Sequence, residues 1–374
     1  MKVAHYMPGY PGCDGSSAFC RGLSRAMNRL YPESCGIISG KVDGSGADDL
    51  IYYFPGKRRH PFAVARSLRE ALRSGRLGVD GIILHGTYNP LMVGMAAFLR
   101  KIGLPYLFIP HDPYPPSLRS HHRWRKTVFW RLFEKPMIEA AVAVQLLDQS
   151  HEKFLRQLGC RVPVFVQPNG CEVESLGQLP EKQHSPGTRE TLRIQYLGRM
   201  DRNHKGLDLL IRAFGEVVKR HRVELWLIGN DWHDRAYLES LAGELGLQNQ
   251  VFFKGRRPEP SIQLQAEADL CVLASRFDGF GLTVVEAMLA ARPVLVSREA
   301  GVATHVAAAG GGWIVEPTVE GLVKGFETAI RAKKEWPETG KRGHGYVMSC
   351  LTWEQVARAT YADYRRFFIG GSDD

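Results

Sequence analysis

The sequence predicts an α/β protein built from two doubly wound parallel sheets. Apolar runs of about five to seven residues alternate with segments of helical periodicity, the pattern of a parallel sheet covered on both faces. The alternation stops at a polar stretch with Gly, Pro and Ser (174–191) and then restarts. A chain of 374 residues has room for two domains of about 150–200 residues. We therefore expect one domain over residues 1–170, a second over 171–352, and a final helix over 353–370.

Apolar runs bounded by polar or Gly- and Pro-containing segments predict the strands. In the first half they lie at residues 2–7, 35–39, 51–54, 81–85, 106–110, 141–147 and 162–167. In the second half they lie at residues 193–197, 224–228, 251–254, 270–274, 293–296 and 313–315.

Apolar residues at helical spacing predict helices between these strands. In the first half the helices lie near residues 16–30, 61–74, 90–101, 122–139 and 150–158. In the second half they lie near residues 207–220, 235–245, 261–266, 282–291 and 321–332. Two doubly wound domains joined by a linker are expected to leave a ligand-binding cleft between them.

The net charge of +10 is carried by the first half. Residues 1–170 hold 23 Lys and Arg against 12 Asp and Glu, whereas the rest holds 26 against 27. Such asymmetry indicates an anionic partner for the first half: a membrane surface, nucleic acid or a phosphorylated substrate.

No apolar run approaches the roughly 20 residues of a membrane span. The chain opens directly into a predicted strand and not into a charged-then-apolar leader, so we expect a cytoplasmic protein. The seven cysteines are scattered without a C-x-x-C pair, which favours reduced thiols over a disulfide framework or a zinc site.

Charged side chains follow two of the predicted strands. Arg199 and Lys205 follow strand 193–197, and Asp278 and Glu286 follow strand 270–274. Loops at the carboxyl ends of parallel strands line the ligand crevice of such sheets. Cations there suit a diphosphate and carboxylates suit sugar hydroxyls, so the sequence predicts a nucleotide-sugar site.

The segment from Asp278 to Glu286 predicts the site more specifically than Arg199 and Lys205 do. Gly279 and Gly281 allow the backbone to approach a ligand, and a helix beginning near Leu282 directs its amides at the same point. The structural alternative is that Asp278 merely caps the helix and Glu286 lies on its surface.

These motifs resemble the retaining glycosyltransferase family 4, whose fold is GT-B, two Rossmann-like domains facing across a cleft. The resemblance covers nearly the whole chain and is strongest over residues 166–296. It rests on Gly198-Arg199…Lys205-Gly206, Leu225-Trp-Leu-Ile-Gly229, Val251-Phe-Phe-Lys-Gly255, Asp278…Glu286, Gln167-Pro-Asn-Gly170 and Thr352-Trp353. It also implies that the helix 353–370 packs back on the first domain.

The resemblance implies a role for each candidate residue. Arg199 and Lys205 would hold the donor diphosphate, and Glu286 the ribose hydroxyls. Asp278 and the backbone of Gly279, Phe280, Gly281 and Leu282 would contact the transferred sugar. The base would lie near Gly255 and Arg256, and also near Gly229 and Asn230. His111 matches the active-site histidine that contacts the donor sugar, and Gly15-Ser16 lies in the loop under the diphosphate.

Two positions depart from the family pattern. Asp278 stands where the family usually has Glu, which is longer by one methylene, so the sugar hydroxyl reached and the donor preference are open. Ser16 stands where the family has the second of two glycines, so close backbone approach there is in question.

The family implies a retaining, metal-independent hexosyltransferase without a cofactor. A UDP-sugar is favoured as donor, with a GDP-sugar as the alternative. The acceptor would be a glycan or a lipid-linked sugar in exopolysaccharide or cell-envelope polysaccharide synthesis. Because no Asp-x-Asp pair follows a strand, the sequence gives no reason to expect a divalent metal.

The segment 121–135 interleaves cations with large aromatics. Trp124, Val128 and Leu132 share one helical face, which suits peripheral contact with an anionic membrane, on the inner face of the plasma membrane. The alternative is that this face packs into the domain core.

Two other functions stay open for the protein: a GT-B nucleotide-sugar epimerase and a basic nucleic-acid-binding protein. No recognised nucleic-acid motif is present, and we expect no nucleic-acid partner.

The sequence does not favour three other enzyme classes. A nicotinamide dehydrogenase needs G-x-G-x-x-G after the first strand, and the glycines there have the wrong spacing; a P-loop ATPase needs G-x4-G-K-[ST], which does not occur. A glycosidase could use Asp278 and Glu286 as its carboxylate pair, but would leave Arg199 and Lys205 unexplained.

Overall fold

A computed structural model describes residues 1–10, 12, 15–40, 50–55, 60–112, 114, 123–179 and 184–370. The chain divides into two compact units. The first consists of Met1–Gly170 and Trp353–Asp374, and the second of Cys171–Thr352.

The first unit contains a parallel sheet of seven strands in the described residues, ordered β3-β2-β1-β4-β5-β6-β7. The strands are β1 (Val3–Tyr6), β2 (Cys35–Ser39), β3 (Ile51–Tyr53), β4 (Gly81–His85), β5 (Tyr106–Ile109), β6 (Ala143–Leu146) and β7 (Val164–Val166). Its helices are α1 (Gly15–Leu30), α2 (Arg66–Arg73), α3 (Pro90–Ile102), α4 (Arg123–Phe129), α5 (Lys135–Glu139) and α6 (Glu152–Gln157). Strands β1, β2, β4, β5 and β6 are buried throughout, because helices cover both faces of the sheet.

The last helix of the chain, α15 (Trp353–Ile369), completes this first unit. It packs on α1, where a Cβ added at Gly22 would lie 2.1 Å from the Trp353 ring. Its buried Tyr364 donates a hydrogen bond to Oε1 of Gln145 on β6 (2.8 Å), and the Tyr361 ring stacks on that of Tyr31 (3.8 Å between centroids).

A π-helical segment, Trp130–Glu134, interrupts the predicted helix 122–139 between α4 and α5. The wider turn places Glu134 in the core, where its Oε1 accepts hydrogen bonds from the Tyr88 amide (2.6 Å) and the Tyr114 hydroxyl (2.8 Å). Its Oε2 has no partner among the described residues. Burial raises the pKa of Glu134 to about 7, although these two hydrogen bonds oppose the shift.

The second unit contains a parallel sheet of six strands among its described residues, ordered β10-β9-β8-β11-β12-β13. The strands are β8 (Leu192–Leu197), β9 (Val223–Ile228), β10 (Val251–Gly255), β11 (Leu270–Leu273), β12 (Val294–Ser297) and β13 (Gly312–Val315). The helices are α7 (Arg202–Lys205), α8 (Leu207–Val217), α9 (Arg235–Glu244), α10 (Ser261–Ala266), α11 (Leu282–Leu289), α12 (Ala303–Ala309), α13 (Val319–Arg331) and α14 (Trp336–Cys350).

The predicted α/β class and the two parallel sheets are confirmed, with a strand at each of the thirteen expected positions. Helices α7, α12 and α14 were not predicted. Helix α2 begins at Arg66, later than the expected residue 61. In the described part of the chain, no helix is both long and apolar enough to cross a membrane.

Candidate functional site

The candidate residues of the second unit lie at or just after the carboxyl ends of four adjacent strands, β10, β9, β8 and β11. Arg199 follows β8, Asn230 follows β9, Arg256 follows β10 and Asp278 follows β11. Because parallel strands end at the same edge of a sheet, the loops after these strands form one continuous rim.

Close backbone contact sets the geometry of the rim between β8 and β9. Gly229 has φ of 145°, and a Cβ there would lie 1.8 Å from the carbonyl oxygen of Gly198, so only glycine fits. The Met200 amide donates to the Asn230 carbonyl (2.9 Å), and the Gly229 amide donates to the Gly255 carbonyl (2.8 Å). The Asn230 and Arg256 side chains are exposed on this rim.

The Arg199 side chain is exposed and lies over an aromatic ring. Its guanidinium carbon is 4.8 Å from the centre of the Trp232 ring, which is 52% exposed. The Tyr196 hydroxyl donates to the Arg199 carbonyl (2.7 Å) and fixes the loop beneath. Trp232 was not among the predicted residues, although a large aromatic side chain in a polar loop after a strand is a signal that could have identified it.

Lys205 lies at the end of the short helix α7. Asp201 caps that helix, because its Oδ1 accepts from the Asn203 and His204 amides (3.0 Å each). Gly206 ends it with φ of 63°, and a Cβ there would lie 2.3 Å from the Ala274 carbonyl oxygen. The backbone after β8 therefore lies against the end of β11, which brings Lys205 to the β11 loop.

Lys205 and Asp278 form a direct ion pair. The Lys205 Nζ lies 2.5 Å from Oδ2 of Asp278, and both side chains are largely buried. Oδ1 of Asp278 accepts from the Phe280 amide (3.3 Å). The Asp278 backbone is held on both sides, donating to the Glu299 carbonyl (3.2 Å) and accepting from the Gly301 amide (3.1 Å).

Helix α11 begins directly beside this pair. Its N-cap is Gly281, with φ of 102°, so the Leu282 end of the helix presents its amides next to the β11 loop. Gly279 and Phe280 are buried in the loop that leads to this helix. Together these features give a cation, a carboxylate and a helix N-terminus at one place, which suits a phosphorylated ligand.

Glu286 lies one turn into α11 and is half-buried. The Ser261 hydroxyl at the start of α10 donates a hydrogen bond to its Oε2. Burial raises the pKa of Glu286 to about 7, and the hydrogen bond from Ser261 opposes that shift. Ser261 was not among the predicted residues.

A second ion pair supports the β11 loop. The Arg276 guanidinium makes a bidentate contact with Asp208 on α8 (2.7 and 2.8 Å) and donates to the Arg202 carbonyl (2.6 Å). Burial raises the pKa of Asp208, but the Arg276 contact outweighs it, so the net pKa lies below its ordinary value. The pair fastens the Lys205 and Asp278 loops to each other.

In the first unit, Gly15 and Ser16 are the first residues of α1 and not part of a loop. Residues 13 and 14, which precede Gly15 in the predicted diphosphate loop (12–17), lie outside the described residues.

His111 follows β5 with φ of 60°, a left-handed conformation that a non-glycine residue rarely adopts. Its Nε2 lies 2.9 Å from Nδ1 of His85, which ends β4. His85 in turn contacts His5 of β1. His111 was among the predicted site residues, whereas His85 and His5 were not.

Two family models match the chain and together cover most of it. The model described as Glycosyltransferase Family 4 matches residues 17–175, and the model described as Glycosyl transferases group 1 matches residues 180–344.

Curated relatives match at modest identity. The chain is 26% identical over 309 residues to the MMP alpha-(1->4)-mannosyltransferase of Mycolicibacterium hassiacum, covering 80% of this chain and 74% of that protein. It is 28% identical over 177 residues to the uncharacterized glycosyltransferase MJ1607 of Methanocaldococcus jannaschii, covering 46% of this chain and 44% of that protein. The chain therefore spans less than half of the second relative.

Solved structures share the fold over nearly the whole chain. Sucrose-phosphate synthase from Thermosynechococcus elongatus matches with a TM-score of 0.76 at 19% identity, covering 99% of this chain and 100% of that chain. HepE from Anabaena, solved in complex with UDP and glucose, matches with a TM-score of 0.72 at 20% identity, covering 97% and 99%.

Proposed function

Because this chain belongs to glycosyltransferase family 4 and has the GT-B fold, we propose that it is a retaining, metal-independent hexosyltransferase. The proposed donor is a nucleotide-diphosphate sugar, with a UDP-sugar favoured and a GDP-sugar as the alternative. The UDP bound by HepE supports this choice. The proposed acceptor is a glycan or lipid-linked sugar of exopolysaccharide or cell-envelope synthesis.

The observation that carries the proposal is the Lys205–Asp278 pair beside the N-terminus of α11. Lys205 and Arg199 are proposed to neutralise the charge that develops on the leaving diphosphate. Asp278 and the loop through Gly279, with Phe280, Gly281 and Leu282, are proposed to contact the sugar. No cofactor is proposed, because these cations and helix amides supply the charge that a divalent metal would provide.

The other candidate residues are proposed to contact the nucleoside, the diphosphate and the sugar. Glu286 accepts hydrogen bonds from the ribose hydroxyls, and Gly255, Arg256, Gly229 and Asn230 lie near the base. Gly15 and Ser16 contact the diphosphate from the N-terminus of α1, and His111 contacts the transferred sugar. The exposure of the Asn230 and Arg256 side chains supports their availability to a ligand.

Retention is proposed to follow a front-face route. The bond between the anomeric carbon and the phosphate oxygen breaks, and the acceptor oxygen bonds to that carbon on the same face. The acceptor's hydroxyl proton passes to the departing phosphate oxygen, so no protein nucleophile is required. Mass spectrometry that finds a sugar covalently attached to Asp278 would contradict this route.

The donor is identified by thermal shift with UDP, GDP and their sugar conjugates. We expect one nucleotide diphosphate to raise the Tm, because a ligand that binds only the folded state stabilises it. Arg199→Ala should abolish most of that shift, whereas Arg222→Ala, at an exposed arginine paired with Glu190, should retain it. Equal shifts in both variants would contradict the assignment of the site.

The epimerase alternative is separated by the need for an acceptor. An epimerase converts the sugar of its nucleotide donor without a second substrate. We expect no isomerised nucleotide-sugar when the enzyme is incubated with the donor alone, and we expect glycosidic product when a crude glycan or lipid fraction is added. Isomerisation in the absence of acceptor would favour the epimerase.

An exposed apolar face favours contact with an anionic membrane. Trp124, Val128 and Leu132 are 69%, 47% and 63% exposed, so they do not pack into the core. Arg125 and Arg131 are exposed on the same segment. Apolar side chains interleaved with cations insert at the interface of an anionic bilayer, which supports peripheral binding to the inner face of the plasma membrane.

Vesicle co-sedimentation tests the membrane contact. The full chain should bind vesicles of phosphatidylglycerol and phosphatidylcholine in low salt and bind pure phosphatidylcholine much less. The double variant W124A/L132A should weaken binding at least about tenfold, because it removes two inserted side chains. Ile369→Ala removes another exposed apolar side chain and is the matched control. Unchanged binding of the double variant would contradict the contact.

A further inference from the structure

Three histidines of the first unit form a continuous row. Nδ1 of His5 lies 2.8 Å from Nε2 of His85, and Nδ1 of His85 lies 2.9 Å from Nε2 of His111. They come from β1, β4 and the end of β5, which are neighbours in the sheet. His5 and His85 are buried, while His111 is half-buried.

The side chain of Cys20 also approaches the row, its Sγ lying 3.6 Å from Nε2 of His85, so His5, Cys20 and His85 could in principle hold a metal ion. The distances favour hydrogen bonding instead. Two nitrogens bound to one tetrahedral zinc at about 2.0 Å each lie about 3.3 Å apart. The 2.8 Å between His5 and His85 is the length of a direct hydrogen bond.

Burial keeps the inner rings neutral. It lowers the pKa of His5 to about 3, with a further contribution from His111, and it lowers the pKa of His85 well below its ordinary value. A neutral imidazole has one N–H and one lone pair. A row of neutral rings can therefore hydrogen-bond only if every ring donates in the same direction.

The inner end of the row determines that direction. Nε2 of His5 is buried and has no hydrogen-bond partner among the described residues. Donation towards His5 would place an unpaired N–H there, whereas donation towards His111 leaves only an unused lone pair. Buried orphan N–H groups are rarer in proteins than under-used acceptors, so donation towards His111 is favoured.

We infer that His5 and His85 are positioning residues that fix the tautomer of His111, whose Nε2 accepts from His85 and whose proton lies on Nδ1. The Phe19 ring meets His111 edge-on, with centroids 5.4 Å apart and an interplanar angle of 80°, and restrains its orientation. The inference rests on the proposed contact of His111 with the transferred sugar, for which the row supplies a neutral hydrogen-bond donor in a fixed plane.

The tautomer is read directly by NMR. The full chain is labelled with ring-¹⁵N histidine, and His111 is assigned from the signal lost in His111→Ala. We expect the spectrum of the unsubstituted protein to show a protonated Nδ1 and an unprotonated Nε2 at His111. Protonation at Nε2 overturns the inference, whatever the activity measurements give.

Two substitutions at His5 supply a matched pair. His5→Leu removes the donor to His85 and should yield mixed tautomers at His111, with kcat reduced about tenfold and nucleotide affinity unchanged. His5→Asn retains an amide N–H near the position of Nδ1 and should restore both the single tautomer and kcat. A folded His5→Leu protein with the original tautomer and kcat overturns the inference.

Two further results separate the inference from the proposed function and from a metal site. If His111→Ala leaves turnover unchanged, the proposed role of His111 in the reaction fails, while the NMR result still decides the tautomer. If the purified protein holds one equivalent of zinc that Cys20→Ala removes, the row is a metal site and the inference is overturned.

Discussion

The Lys205 ammonium lies 2.5 Å from the Asp278 carboxylate and ties the loop after β8 to the loop after β11. Each side chain neutralises the charge of the other in a largely buried setting. Removing one of them would leave the other charge buried and unpaired, which lowers stability. We also propose that both side chains contact the donor. Donor binding must therefore rearrange the ion pair that they form with each other. The site therefore keeps its two charged groups in place before the substrate arrives.

Lys205→Ala should lower stability, because it leaves the Asp278 carboxylate unpaired, and should also lower turnover in the protein that folds. We expect Lys205→Ala to lower kcat about 10²- to 10³-fold, because the charge that develops on the leaving diphosphate loses a preorganised cation. Lys219→Ala, at an exposed lysine paired with Glu216, should leave kcat unchanged. Steady-state kinetics with both proteins checks this, and equal kcat values would contradict the role of Lys205.

Asp278→Glu tests the departure from the family pattern. The added methylene moves the carboxylate relative to the sugar, so we expect the ratio of kcat/KM for two epimeric sugar donors to change about tenfold. Affinity for the free nucleotide diphosphate should change less than about threefold, since that ligand lacks the sugar. Competition kinetics with paired donors measures the ratio, and an unchanged ratio would mean that Asp278 does not select the donor.

The raised pKa of Glu286 predicts that donor affinity depends on pH. Ribose hydroxyls donate hydrogen bonds best to a carboxylate, and with a pKa of about 7 only about one-tenth of Glu286 is ionised at pH 6. Affinity should therefore be about tenfold weaker at pH 6 than at pH 8. Calorimetric titration across that interval tests it; Glu286→Gln should flatten the profile, and the same slope in the variant would assign the titration to another group.

Glu134 should make the folded protein less stable as the pH rises. Its pKa is about 7 in the folded state against an ordinary value of 4.5, so between these values the folded protein holds a proton that the unfolded chain has lost. The free energy of unfolding should therefore fall as the pH rises from about 4.5 to 7, by about 2–3 kcal/mol from this group.

Urea denaturation at pH 5 and pH 8 measures this loss. Glu134→Gln cannot ionise and should lose this part of the slope, whereas Glu338→Gln, at an exposed carboxylate, should keep it. Parallel stability curves for the unsubstituted protein and Glu134→Gln would show that the buried carboxyl does not titrate in this range.

The contact of α1 with the terminal helix predicts a sensitive glycine. Gly22→Ala would place a Cβ 2.1 Å from the Trp353 ring, so the two helices must separate, and we expect a loss of about 1–3 kcal/mol of stability. Gly9→Ala is the matched control, because no atom lies within 4 Å of the added Cβ. Thermal unfolding of both variants compares them, and an equal Tm would show that α1 and α15 can shift without cost.

The periodicity of the sequence predicted every strand in the described part of the chain, because buried parallel strands are continuous apolar runs. It missed helices that lack a clear apolar stripe. Helix α12 consists largely of alanine, and α14 contains Gly340, Gly343 and Gly345, residues that lower helix propensity. The π-helical turn at Glu134 was not predictable either, since it depends on tertiary contacts with Tyr88 and Tyr114.

For the site, the sequence pointed to residues on strand-end loops but not to their partners. The Lys205–Asp278 pair joins positions that are 73 residues apart, and the His5–His85 contact joins positions 80 apart. No local pattern encodes such distances, because the order of strands in the sheet creates them. The sequence also could not predict whether Trp124 and Leu132 are exposed, because the same amphipathic pattern suits a helix that faces the core and one that faces a membrane.

The return of α15 to the first unit has a consequence for biosynthesis. Strands β1–β7 are synthesised long before Trp353, so Phe19 and Phe165 of the nascent first unit lack their contacts with α15 until translation ends. The segment Cys171–Thr352 contains all of its own strands and can fold first. A premature stop codon just before position 353 would therefore leave every strand of the sheets intact and still yield a chain with an unfinished N-terminal half, open to aggregation and proteolysis.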